Sequence, residues 1–196
     1  MVYRSMYGTL LAMLSVSSAS MAAETYNLEK THVDLLFSIN HAGFTEKHGQ
    51  FRELDATVQY DPARPENDRV SVIVKTDSLD TGNTARDNDV KGAMFLDVAH
   101  FPEMRFVSTK VTRGPRGMLI VQGDLTLHGV TKPLTLEAKL NKAAPNPFDK
   151  RPTLGFSARG SLKRSDYGIA TYIPVIGDTV NITIDAEFNQ PVKNGT

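Results

Sequence analysis

Residues Val180–Asn189 read VNITIDAEFN, and the fold follows from this stretch. Val180, Ile182, Ile184, Ala186 and Phe188 alternate strictly with Asn181, Thr183, Asp185, Glu187 and Asn189. A half-buried antiparallel strand imposes a period of two because successive side chains point to opposite faces, whereas a helix would repeat every 3.6 residues. The same rhythm recurs upstream. Leu154, Phe156, Ala158, Gly160 and Leu162 share one face, as do Leu134, Leu136, Ala138 and Leu140, and Leu119, Val121, Gly123, Leu125 and Leu127. Earlier still come Met104 and Phe106; Val70, Val72 and Val74; Leu54, Ala56, Val58 and Tyr60; and Leu35, Phe37 and Ile39. Together these predict eight strands, with a short additional one near Tyr26–Glu29.

Turn chemistry separates them: Asp61-Pro62 to Asp68, Arg113-Gly114-Pro115-Arg116-Gly117, His128-Gly129 to Pro133, and Pro145 to Pro152. Connections this short favour sequential hairpins. Two segments break the rhythm. Residues 84–101 read as helical, with Asn83 or Thr84 as N-cap and Val90, Met94 and Val98 spaced by four. Residues 165–177 form a long connection containing Gly, Pro and aromatic residues. The fold class is therefore all-β, an antiparallel eight-stranded sheet with one helical segment, closed as a barrel or stacked as a sandwich. Closure removes the sheet edges and leaves an interior that side chains or one small ligand can fill. Ala56, Gly123, Ala138, Ala158, Gly160 and Ala186 all fall on the inward face, and such small residues favour a cavity. Gly49, Gly82, Gly129 and Gly168 are expected to supply unusual turn dihedrals.

The N-terminus has the three-part order of a signal peptide: Arg4, the apolar GTLLAMLSV of Gly8–Val16, then small residues through Ser20-x-Ala22 and Ala23. The apolar run is shorter than the ~20 residues a spanning helix requires. Cleavage after Ala22 or Ala23 would remove residues 1–22 and leave 23–196 as one domain in the periplasm. The absence of cysteine excludes a disulfide framework and thiol chemistry. Acidic and basic residues balance at 22 each without a basic cluster, which argues against nucleic-acid binding. His32, His41, His48, His100 and His128 lack ligand spacing, so no metal site is expected. Ser78 and Ser165 lie outside any G-x-S-x-G elbow, so no catalytic residue is assigned and the protein is not expected to be an enzyme.

Several motifs stand in an ordered series: His48-Gly49-Gln50-Phe51, Ser78-Leu79-Asp80-Thr81-Gly82, Arg86-Asp87 and Phe95-Leu96-Asp97, then FPEMRF at Phe101–Phe106, GDLTLHGVTKP at Gly123–Pro133, and RSDYG at Arg164–Gly168. In this the chain resembles the YceI-like family of periplasmic, polyisoprenoid-binding, lipocalin-like barrels, over essentially the whole mature chain. The resemblance implies an extended eight-stranded barrel, a helix packed beside it, and a long isoprenoid or related lipid in the lumen. Residues 165–178 depart from the pattern, with two extra branched residues after Pro174.

The expected function is non-catalytic binding, storage or transport of a long-chain apolar lipid of polyisoprenoid, isoprenoid-quinone or fatty-acyl type. No cofactor is expected beyond that lipid. Candidate lipid contacts are Phe37, Ile39, Val72, Phe106, Val121 and Gly123, followed by Leu125, Leu136, Ala138, Phe156, Ala158, Ile182 and Ile184. Phe51, Phe95 and Tyr167 are candidates at the rim, and Arg86, Asp87 and Arg164 are candidates for head-group contact or structural ion pairing. The expected partners are the lipid itself and, for loading, transient contact with a membrane or membrane protein; a homodimer is compatible. Two other readings stay open: an enzyme acting on a lipid-like substrate at the mouth, and a solid-cored barrel that works through protein contacts.

Overall fold

The computed structural model describes residues 23–192; the predicted signal segment, residues 1–22, lies outside them. Ten strands account for most of the described chain: β1 Glu24–His41, β2 Thr45–Phe51, β3 Leu54–Tyr60, β4 Arg69–Lys75, β5 Leu79–Asp80, β6 Glu103–Arg113, β7 Leu119–Leu127, β8 Val130–Pro145, β9 Pro152–Lys163 and β10 Ile176–Asn189. Every pairing is antiparallel, and β10 pairs with β1 to close the sheet on itself. The barrel has eight staves, because β2–β3 and β4–β5 are each one interrupted stave. β1 pairs first with β3 and then with β2, while β3 pairs with β4 and β2 with β5. The two interruptions sit side by side and are bonded across: Arg52 N donates to Ser78 O at 3.2 Å and Lys75 N to Glu53 O at 2.9 Å. Arg52 Nε also reaches Asp80 Oδ2 at 2.7 Å.

Three expectations need correction. Tyr26–Glu29 and the Leu35–Ile39 stretch belong to one strand, β1, whose register with β10 shifts between Leu28 and Val33. Thr45–Phe51 is a strand although its sequence does not alternate, because Lys47 and Gly49 occupy its inward positions near the open end. The helix over 84–101 is only α1, Thr84–Lys91, capped by Asn83 Oδ1, which accepts from Arg86 N at 3.0 Å. Gly92 leaves it with extended backbone, and turns follow to His100.

Tight turns suit the sheet's twist. His128-Gly129, both with positive φ (51° and 73°), joins Leu127 to its partner Val130 in a two-residue hairpin. Gly82 and Gly168 also have positive φ, as expected, but Gly49 does not. Gly49 lies opposite Phe37, whose ring covers the place a Cβ would take.

The interior is solid at one end. Tyr26, Leu28, Ala56, Val58, Leu154, Ala186 and Phe188 form a buried cluster there. The rings of Tyr26, Tyr60, Phe156 and Phe188 link edge to face at centroid separations of 6.4, 6.5 and 6.1 Å along the series. A second cluster runs up the β6–β8 wall through Phe106, Val111, Val121, Leu125, Leu134 and Leu136 to Tyr167 and Ile169.

Candidate functional site

Above the aromatic plug the barrel is hollow. A cavity of about 530 Å³ occupies the half formed by the C-terminal ends of β1, β4, β7 and β9 and the N-terminal ends of β2, β6, β8 and β10. The volume falls within the ~300–1,000 Å³ of small-molecule sites. Its wall is overwhelmingly apolar, with Leu35, Phe37 and Ile39 from β1, Met104 and Phe106 from β6, and Val180, Ile182 and Ile184 from β10. Two covers border the mouth. One is α1 with the turns after it, contributing Val90, Met94, Phe95 and Leu96; the other is the connection between β9 and β10, contributing Ile169 and Tyr172. Thr171 Oγ1 donates to Met94 O at 2.7 Å, and the rings of Phe95 and Tyr172 lie 6.2 Å apart, so the covers are joined.

Of the candidates read from the sequence, Phe37, Ile39, Phe51, Val72 and Phe95 line this cavity, as do Phe106, Leu125, Leu136, Ile182 and Ile184. Val121, Gly123, Ala138, Phe156, Ala158 and Tyr167 are absent from its wall. Phe156 belongs to the aromatic plug. Val121 and Ala138 are buried in the wall cluster, Ala158 packs against it opposite Ala138, and Tyr167 is buried in it beneath the second cover. The small residues did not make the hollow. A Cβ on Gly123 would stand 2.5 Å from Phe106 Cζ, and one on Gly160 2.7 Å from Leu136 Cδ2, so neighbouring side chains already fill both places. Leu35, Val74, Leu79, Met104, Leu127, Leu134, Leu162 and Val180 add to its apolar wall, and His41, Lys47, His48 and Asp89, which the sequence reading did not single out as contacts, also line it. The apolar additions lie on inward faces the alternation had marked, save Leu79; which level of each strand faces the hollow depends on strand direction, not periodicity.

The three polar candidates separate. Arg164, 5% exposed, donates to four backbone carbonyls: Nε to Gly177, Nη1 to Ile169, and Nη2 to Thr171 and Ile176, each at 2.9 Å. It clamps the second cover into shape. Burial pulls its pKa below the ordinary value, against the pull of nearby Asp178. Asp178 accepts from Ser165 N at 2.9 Å and from Ser165 Oγ at 2.8 Å, which holds its carboxyl below the usual range. Asp87 is structural, its Oδ1 taking Thr81 N at 2.8 Å and Thr81 Oγ1 at 2.6 Å. Of the three, Arg86 alone extends along the cavity wall with its guanidinium unengaged among the described residues, and its buried Nε has no hydrogen-bond partner there.

Comparison with known proteins agrees with this architecture. The chain is 37% identical over 186 residues to the protein YceI of Escherichia coli, covering 94% of this chain and 96% of that one. The crystal structure of the YceI protein of Campylobacter jejuni superposes with a TM-score of 0.70 at 30% identity, over 78% of this chain and 90% of that one. A polyisoprenoid binding domain from Saccharophagus degradans shares the fold alone, with a TM-score of 0.66 at 16% identity, over 87% of this chain and all of that domain. The model of the YceI-like domain matches residues 26–188, from the first strand to the last, and the chain belongs to the YceI-like family.

Proposed function

We propose that the protein is a non-catalytic carrier that sequesters one long-chain lipid, of polyisoprenoid, isoprenoid-quinone or fatty-acyl type, in the periplasm. The observation that carries this reading is the cavity: about 530 Å³, walled by aliphatic and aromatic side chains, plugged at one end and open at the other. Such a lumen offers an apolar chain what water does not. At ~0.8 kcal/mol per buried CH₂, roughly sixteen carbons would contribute on the order of 13 kcal/mol before the costs of ordering and association. The likeness to a polyisoprenoid binding domain points the same way. Loading occurs at the mouth through transient contact with a membrane. Phe44, 87% exposed on the β1–β2 turn, is joined there by Met94, Tyr172 and Val175, all exposed; Ala42 N bonds Val175 O at 2.7 Å, and the Thr171–Met94 bond completes the rim.

Native mass spectrometry of protein purified without added lipid tests the reading, with one lipid per chain as the expected result. Bare polypeptide mass both before and after incubation with prenyl, quinone and fatty-acyl lipids would refute it. Periplasmic export predicts a mature N-terminus at Ala23 or Glu24 in the soluble periplasmic fraction; a cytoplasmic product retaining Met1 would end that part of the proposal.

A further inference from the structure

We infer that the lipid's polar end is an acid, a carboxylate or a phosphate monoester, held at the mouth by Arg86. The inference rests on the lipid-carrier reading and names the head group which that reading left open.

Arg86 sits in the first turn of α1, where the cap to Asn83 Oδ1 fixes its backbone and its side chain joins the cavity wall. Its Nε is the one buried side-chain nitrogen or oxygen without a hydrogen-bond partner among the described residues. A charged donor shielded from water without an acceptor is costly, and proteins seldom leave one so. The other arginines on the wall are already engaged: Arg164 by its four carbonyls, and Arg105 by Glu103 at 2.7 Å. Lys47 lies on the same wall, and among the described residues its side chain has neither a hydrogen bond nor an ion pair. Among the described residues Asp89 is the one carboxylate on the wall, and it pairs with neither cation. Asp87, the nearer acid in sequence, is turned to Thr81. The wall therefore carries two uncommitted cations against one carboxylate, with His41, His48 and Thr81 as further polar residues in a lining that is mostly apolar.

A guanidinium is a planar fork of donors that matches the two oxygens of a carboxylate or phosphate. A neutral quinone or ester carbonyl also accepts a hydrogen bond, but without the charge, and charge-assisted bonds are roughly twice as strong. An acidic amphiphile satisfies both halves of the site at once, with its chain in the lumen and its anion on Arg86.

Two matched pairs of ligands test this at neutral pH with the mature protein: palmitate against methyl palmitate, and farnesyl phosphate against farnesol. Within each pair the chain is constant and only the charge of the head changes. Wild type should prefer the acid by about tenfold or more, the scale of one charge-assisted hydrogen bond. Arg86→Gln should abolish most of that preference by costing the acid far more affinity than its neutral partner, and Arg86→Lys should restore part of it. Acetate and inorganic phosphate, which lack a chain, should not displace palmitate. Acid and neutral ligand bound within twofold by wild type would overturn the inference without any variant, as would equal loss of both on Arg86→Gln. If no member of either pair binds, the carrier reading fails as well; if the neutral lipids bind as well as the acids, only the head-group assignment falls.

Discussion

Replacing Gly123 with alanine probes the packing of the barrel wall with a single carbon. Gly123 on β7 pairs with Ser108 on β6, and a Cβ there would lie 2.5 Å from Phe106 Cζ and 2.5 Å from the carbonyl oxygen of Val107. Non-bonded carbons rest about 3.5–4.0 Å apart, so the ring has to retreat by about 1 Å. The carbonyl belongs to the backbone of β6 and cannot retreat unless the β6–β7 ladder distorts. Overpacking of this kind costs about 1–3 kcal/mol, with Tm falling by roughly 2–4 °C for each kcal/mol in a chain of this size. Phe106 also lines the cavity, so a displaced ring intrudes on the lumen and uptake of lipid per folded molecule should drop. Denaturant melts of lipid-free protein measure the first effect and native mass spectrometry the second. A cycle with Phe106→Leu isolates the ring: the double variant should be more stable than the sum of the singles by about 1 kcal/mol. A Gly123→Ala protein within about 0.5 kcal/mol of wild type, or strict additivity in the cycle, would refute the argument that Phe106 fills the glycine's place.

Asp68 lies buried at the plugged end, accepting from Asp61 N at 2.7 Å, and burial pushes its pKa up from 3.8 to about 6. The native state therefore binds this proton more tightly than the unfolded chain. The stability the group contributes is full below the unfolded pKa and is lost as pH rises through about 6. Asp68→Asn keeps an acceptor for Asp61 and should stabilise the protein by on the order of 2 kcal/mol above about pH 7, with the gain fading in acid; urea melts across that range showing a pH-independent gain would contradict this. Arg164→Lys keeps the charge but loses the fork, so one ammonium cannot serve the carbonyls of Ile169, Thr171, Ile176 and Gly177 together, and those left unpaired cost about 2 kcal/mol or more. Amide exchange should quicken at Ile173 and Ile176 while β7 stays protected, and unchanged exchange would show the clamp to be redundant.

The staves were legible wherever one face meets the interior and the other meets water. β7 alternates from end to end, β8 over Leu134–Leu140 and β10 over Val180–Phe188, and each of the eight staves holds one of the stretches the alternation marked. β2 was illegible because Lys47 and Gly49 point toward the mouth, where a polar or missing side chain is tolerated. β6 loses its rhythm after Ser108, where its register with β7 shifts before Lys110, bringing Val111 inward in place of an even-numbered residue. Val90, Met94 and Val98 keep helical spacing across Gly92, but α1 ends at Lys91 and the last two lie in turns. The boundary between plug and hollow was hidden for a different reason. Phe156 below and Phe106 above are the same residue type on the same kind of stripe, and only the assembled barrel sets their heights. Small inward residues misled because Gly123 and Gly160 mark close approach of Phe106 and Leu136, not empty space.

The seam between β1 and β10 has a consequence for the order of events in the cell. Phe37 pairs with Ile182 and Leu28 with Phe188, so the first strand of the barrel waits for the tenth before it has a partner on that side. Contacts so distant along the chain form slowly, because loop-closure entropy must be overcome before they contribute. Until β10 docks, β1 and β9 both present open edges, and the lumen is a trough missing one stave. A chain lacking its final strand is thus expected to aggregate edge to edge instead of folding to a smaller barrel. The same topology bears on the proposed cargo: the walled lumen exists only once β10 has closed on β1, so lipid is expected to enter after folding.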